Sequence, residues 1–262
     1  MRHLIGIHAV SAAVRAARAD NRRIERLVVA RGARSSRLQG LIDACRELGI
    51  PVRFEPRSAL QRLAGDEAHQ NVVAIAAAAP YATLESVLEA AGGCSLIVAL
   101  DTVQDPRNLG AIVRTAEGAG ADAVVVPERR SASLTETASK AAAGALESQL
   151  VVRVKNLGRA LKELKDAGYW VYGFDAAAES GYDEPAYADR CVLVLGGESR
   201  GLREKVAERC DFLVRIPMAG SVSSLNVSVA AGIALFEVRR QRRAAEAVAE
   251  DVATKSFRTD SR

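Results

Sequence analysis

Five strand-length runs of almost unbroken apolar residues dominate the second two-thirds of this chain: Leu96–Leu100, Ala123–Val126, Leu150–Val154, Tyr169–Gly173 and Cys191–Leu195. A weaker sixth run covers Phe212–Ile216. A strand with one wet face alternates apolar and polar side chains, whereas a strand apolar at nearly every position is buried on both faces. Helical stretches separate most of the runs, so the pattern predicts an α/β fold whose parallel sheet is covered by helices on both sides. The last strong helix is expected from near Ser224 to about Arg243, with Leu225, Val229, Gly232, Ile233 and Phe236 along one side. Residues 244–262 are polar and aperiodic and are expected to be a disordered tail.

The first 78 residues read as a separate small α/β unit, and 262 residues suffice for one large domain or two modest ones. A helix is predicted over residues 8–18, a strand over Ile24–Ala30, and a helix capped by Ser35 or Ser36 that Gly49 ends. A short strand at Pro51–Phe54, a helix at Arg57–Leu63 and a buried strand at Val72–Ala76 follow. Ala77–Tyr81, which contains Pro80, is the best linker candidate, and Leu84–Ala91 is a helix leading onward, so residues 79–94 join the unit of residues 1–78 to one beginning at 95.

Charge separates the two units. Residues 1–78 hold 13 Arg, no Lys and 7 acids, while the remainder holds 23 basic against 25 acidic groups. The whole positive excess of the chain, +4 in total, therefore lies in the first third. Arginine outnumbers lysine 30 to 6, and a guanidinium pairs with phosphate in a planar, two-pronged way that an ammonium cannot. A nucleic acid is the partner this asymmetry suggests.

Several classes are excluded. No apolar run approaches the roughly 18 residues of a membrane span. The start, Met1–Gly6, imitates a signal peptide only faintly, because His8, Arg15 and Arg18 follow and no small-residue cleavage site does; a cytoplasmic protein is expected. Cys45, Cys94, Cys191 and Cys210 lie far apart and only three histidines accompany them, so neither a local zinc site nor a disulfide framework is expected. Gly118-Ala119-Gly120 follows a helix and precedes a strand, the reverse of a dinucleotide fingerprint, and reads as a helix C-terminal turn.

Three segments at strand ends carry more than scaffold chemistry. In Asp105–Arg114, Asn108 follows a strand and can cap the next helix, with Arg114 nearly two turns along. In Val192–Leu202, a buried strand feeds Gly196, Gly197 and Glu198, and adjacent glycines let backbone approach a ligand closely. Glu198 can cap a helix or orient a cation. In Ile216–Ser228, four serines and an asparagine gather at one helix start, more than capping requires.

These three segments, in this order, resemble the three motifs of the SpoU branch of the knotted (SPOUT) RNA methyltransferases, over about residues 95–243. N-x-G-x-x-x-R reads as Asn108, Gly110 and Arg114; G-x-E-x-x-G-[LM] as Gly196, Glu198, Gly201 and Leu202; and S-x-N-V-[SA] as Ser224, Asn226, Val227 and Ser228. Gly6-Ile7-His8-Ala9-Val10 looks like the opening of the RlmB-type subgroup, which methylates a guanosine of 23S rRNA, and the small first domain resembles RNA-binding ribosomal proteins. The resemblance implies a trefoil-knotted, parallel-sheet methyltransferase domain over residues 95–243 behind an RNA substrate-binding domain over 1–78. It implies S-adenosylmethionine held by main chain near Leu195, Gly196, Gly197, Ile216, Met218 and Leu225. It further implies a homodimer acting on 23S rRNA or a large-subunit assembly intermediate, without metal.

Methylation of a ribose 2′-hydroxyl needs an in-line sulfonium, a held ribose and removal of a proton from a weak acid. The resemblance offers Arg114 as the group at the hydroxyl. A guanidinium normally stays protonated, so its expected role is chiefly a clamp on phosphate and developing alkoxide, with a role as base left open. Asn108 would hold loop or substrate, Glu198 would orient a cationic or amide group, and Ser224 and Asn226 would fix the substrate or the third loop. The alternatives are a tRNA or antibiotic-resistance rRNA 2′-O-methyltransferase of the same branch, and a non-catalytic RNA-binding or ribosome-assembly protein.

Overall fold

The computed structural model describes residues 2–20, 24–65, 68–77, 80–93, 95–197 and 201–259. The N-terminal unit runs β1 (Arg2–Ile5), α1 (Ile7–Asp20), β2 (Ile24–Ala30), α2 (Ser36–Glu47), β3 (Val52–Glu55), α3 (Arg57–Ala64) and β4 (Val72–Ala76). Its four strands lie in the order β1-β4-β2-β3, with β2 and β3 parallel and the other pairs antiparallel. Ser35 caps α2, its hydroxyl accepting from the Leu38 amide at 3.1 Å. The sequence reading overlooked β1, because a four-residue edge strand with only Leu4 fully buried leaves too little pattern.

The second unit runs α4 (Leu84–Ala90), β5 (Ser95–Asp101), α5 (Pro106–Ala119), β6 (Ala123–Pro127), α6 (Glu136–Ala142), β7 (Leu150–Val154), α7 (Leu157–Asp166), β8 (Trp170–Phe174), β9 (Ser180–Gly181), β10 (Arg190–Gly196), α8 (Glu204–Ala207), β11 (Phe212–Arg215) and α9 (Val227–Thr259). A 3₁₀ turn at Ala145–Glu147 precedes β7. The seven strands pair in parallel in the order β7-β6-β5-β10-β8-β11-β9. Each apolar run of the sequence falls on one of these strands, and all seven residues of β5 are buried. One face of the sheet packs Leu96, Val98, Leu193 and Leu195 against Leu109, Ile112 and Val113 of α5 and Ala231, Leu235 and Val238 of α9. The other packs Ile97, Val192 and Val194 against Leu84 of α4 and Leu157, Leu161 and Leu164 of α7. A fully buried leucine contributes about 1.5–3 kcal/mol through this removal from water.

One expectation needs correction. The helix expected to stop near Arg243 continues as α9 to Thr259, so the tail of residues 244–262 is helical as far as that residue. Alanines and glutamates fill this stretch without glycine or proline, and intrinsic propensity extends the helix after its apolar stripe has ended. The helix expected at Leu84–Ala91 is present as α4, and the segment before it is fixed to the second unit. The Ala82 amide donates to the Val151 carbonyl at 2.9 Å, the Leu134 amide donates to the Tyr81 hydroxyl at 3.0 Å, and Leu84 and Val87 of α4 are buried against the second sheet. The two units meet where α1 packs on the 3₁₀ turn, and Arg2 of β1 pairs with Glu147 at 2.6 Å with both side chains almost wholly buried.

Candidate active site

The two motif asparagines fasten two helix starts together. Asp105, not Asn108, is the N-cap of α5: its carboxylate accepts from the Arg107 amide at 2.7 Å, and Pro106 takes the first helical position. Asn108 is thereby turned inward, buried, and its Oδ1 accepts from Nδ2 of Asn226 at 3.1 Å. Asn226 immediately precedes α9, and its Oδ1 accepts from the Ser228 amide at 2.8 Å and the Ser228 hydroxyl at 2.6 Å. Such side-chain acceptance by the residue before a helix satisfies amides that the first turn leaves open. Gly110 allows the neighbouring contact, since a methyl group there would run into the Ala138 carbonyl of α6.

Beside this tie, a cavity of about 340 Å³ opens at the carboxyl ends of β10, β8 and β11. Open α/β sheets offer ligand sites at this end. Leu195, Gly196, Gly197, Ile216, Met218 and Leu225, all six residues expected at a cofactor, line it, and so does Ser224. The sequence reading did not place Phe174, Asp175, Val214, Arg215 or Ala230 at the cofactor, yet they also line the wall. Asp175 is an acid directly after the apolar run of β8, in line with the glycines that follow β10, and that position was the available signal. Its Oδ1 accepts from the Ala177 amide at 2.8 Å.

The floor is a backbone crossing. A methyl group on Gly196 would collide with the Gly201 carbonyl, and one on Gly197 would lie 2.7 Å from the Thr102 carbonyl oxygen. The chain beyond Gly201 is pinned by Asp101, which is fully buried at the end of β5. Asp101 accepts from the Arg203 amide at 2.9 Å and from its guanidinium at 2.8 and 2.6 Å, and this hydrogen bonding holds the Arg203 pKa above the ordinary value. Nothing in the sequence marks this pair, because the two partners are 102 residues apart. Glu198 lies outside the described residues.

Arg114 stands apart. It is exposed on α5 and lines a different cavity, of about 700 Å³, together with His8 and Arg15 of α1 and Glu117 and Ser148. Among the described residues, Arg114 and Arg15 make no ion pair. Within one chain the structure thus gathers Asn108, Asn226, Ser224 and the six cofactor candidates, but not Arg114. Burial pushes the Cys45 thiol up to about 11 and the Cys210 thiol up to about 12, which disfavours the reactive thiolate at these two positions. Among the described residues no three His, Cys, Asp or Glu side chains gather to hold a metal, and no helix is long and apolar enough to cross a membrane.

Residues 95–236 match the SpoU rRNA Methylase family, and residues 3–82 match the family described as RNA 2′-O ribose methyltransferase substrate binding. The 23S rRNA (guanosine-2′-O-)-methyltransferase RlmB of Xanthomonas axonopodis pv. citri is 43% identical over 242 residues, 91% of this chain and 96% of that protein. The protein of the same name from Pseudomonas aeruginosa is 43% identical over 240 residues, 90% of this chain and 95% of its own. The crystal structure of the SpoU methyltransferase AviRb from Streptomyces viridochromogenes with AdoMet superposes with a TM-score of 0.76 at 26% identity, covering 92% of this chain and 90% of that one.

Proposed function

The chain belongs to the SpoU rRNA methylase family, and from that premise we propose that it uses S-adenosylmethionine to methylate the 2′-hydroxyl of a guanosine ribose in 23S rRNA. The observation that carries this reading is the strand-end cavity with the Asn108–Asn226 tie at its edge. The cavity suits the cofactor. Gly196 and Gly197 leave main chain bare where any side chain would collide, Leu195, Ile216 and Leu225 offer apolar surface to an adenine, and the Asp175 carboxylate can accept from hydroxyl or amino groups. When bound, S-adenosylmethionine supplies the electrophilic methyl carbon. The remaining work falls to the protein. Ser224 borders the cavity and faces substrate, while Asn108 and Asn226 hold the two helix starts that frame it. The crossing of Gly201 over Gly196 is where we read the family's knot to close.

Arg114 clamps RNA phosphate and developing alkoxide rather than removing the proton, because a guanidinium keeps its charge. Its distance from the cavity of its own chain, together with Val229 and Phe236 exposed by half on the outer face of α9, supports a homodimer in which Arg114 serves the partner's cavity. The RNA-binding unit contributes His8 and Arg15 beside it. Incubating the protein with tritiated S-adenosylmethionine and 23S rRNA that lacks the modification tests the reading. Stoichiometric label in the 23S rRNA is expected; tight RNA binding with no label transferred means a non-catalytic binding protein, and label only in tRNA means the tRNA branch.

A further inference from the structure

The excess positive charge of the sequence lies in residues 1–78, yet the fold concentrates cations at a second place, on the face of the methyltransferase unit formed by α7 and α8. A groove of about 600 Å³ there is lined by Arg130, Arg159, Lys162, Arg203, Lys205 and Arg209, with Glu204 as its one acid. All six cations are exposed. Three already have acidic partners: Arg159 with Glu163 at 2.8 Å, Lys162 with Asp166 at 2.6 Å, and Arg203 with buried Asp101. Arg130, Lys205 and Arg209 have no ion pair among the described residues. Three chain-distant segments, the turn after β6, the start of α7 and the loop around α8, supply these charges, so no single run of sequence betrays the groove.

We infer that this groove binds the phosphate backbone of the RNA substrate, a second contact surface on the methyltransferase unit itself. The inference rests on the reading of the chain as an RNA methyltransferase. Arg130, Lys205 and Arg209, which lack ion pairs among the described residues, leave the groove with a positive excess, and a polyanion that neutralises it releases its own counterions. The groove wall contains no aromatic side chain on which a base could stack, so the contact is to phosphates and is indifferent to sequence. Its location fits the chemistry. Arg203 is two residues beyond Gly201, which lines the cofactor cavity, and two residues of chain span at most about 7 Å. The groove's edge at Arg203 thus adjoins the cavity's edge at Gly201, so one RNA strand can touch both. The slight negative charge of residues 79–262 as a whole conceals the groove, because it averages over faces that never meet RNA.

The test uses the full-length protein with Arg130→Ala, Lys205→Ala and Arg209→Ala combined, and a second variant, Arg209→Lys with Lys205→Arg, that keeps the charge. Binding of a 23S rRNA fragment is measured across a salt series, alongside methyl transfer, S-adenosylmethionine affinity and melting temperature. The alanine variant is expected to bind RNA at least 10-fold more weakly and to lose about 2 from the slope of log affinity against log salt, at about 0.7–0.9 per phosphate contact. Its KM for RNA should rise while S-adenosylmethionine affinity and melting stay at wild-type values, and the charge-keeping variant should bind as wild type. Wild-type methylation with unchanged RNA affinity and slope in the alanine variant overturns the groove and leaves the activity standing. Weaker binding and a flatter slope in the variant, with no methylation by wild type, leaves the groove standing and overturns the activity.

Discussion

Arg114 and Asp101 separate two ways in which a charged residue serves this site. Arg114 is exposed and unpaired, so replacing it leaves the fold intact. Arg114→Ala should keep the wild-type melting temperature and S-adenosylmethionine affinity, yet lower single-turnover methylation by about 10²–10³, the effect of losing a contact worth about 3–4 kcal/mol in the transition state. Arg114→Lys should fall less, and the pH–rate profiles of lysine variant and wild type should run parallel; a profile displaced toward the lysine pKa would make the residue a base. Asp101 is fully buried beneath Arg203 and acts on the chain crossing. Asp101→Ala should lower stability by about 1–3 kcal/mol, because the Arg203 amide loses its acceptor while the exposed guanidinium returns to water, and urea denaturation measures this. At this scale the sequence was partly legible. The motif positions led to the cavity wall, but Asn108 was expected to cap α5, and Asp105-Pro106 does so instead. Asp-Pro is itself a capping signature, and once it is satisfied Asn108 is free to turn inward to Asn226.

Helix α9 shows how a long element is held within its first half. Glu237, buried on α9, accepts from Arg240 at 2.7 and 2.8 Å and from Gln241 at 2.8 Å, and Gln241 in turn donates to the Pro185 carbonyl. The hydrogen bonds from Arg240 hold the Glu237 carboxyl below its ordinary pKa. A depressed pKa contributes stability above the ordinary value of about 4.3, and that contribution is lost as pH falls through the folded-state pKa. Glu237→Gln should therefore melt below wild type at pH 7, with the gap closing as pH falls below 4; a gap independent of pH contradicts the assignment. The long apolar strands were legible because burial on both faces leaves no other pattern. Strands β1 and β9 and helices α6 and α8 were not, since two to seven residues carry at most about two periods of any signal. The end of α9 was misjudged because the apolar periodicity of the sequence stops before the helix does.

Across the whole molecule, RNA affinity on the proposed reading divides between the arginine-rich first unit and the groove on the second. Deleting residues 1–78 should weaken rRNA binding and flatten its salt dependence without abolishing it, while S-adenosylmethionine binding survives. Unchanged rRNA affinity after the deletion contradicts this division. The charge asymmetry of the first unit was legible by counting; the groove was not, because folding assembles it from three distant segments. The central claim is chemical: one methyl group on one ribose hydroxyl of a 23S guanosine. Alkaline hydrolysis tests it directly, since a 2′-O-methyl group removes the hydroxyl that cleaves the adjoining phosphodiester. After treating unmodified 23S rRNA with the protein and S-adenosylmethionine, the hydrolysis ladder should show a single gap, 3′ to one guanosine, that is absent without the protein. Label incorporated without any gap in the ladder would place the methyl on a base and contradict the account.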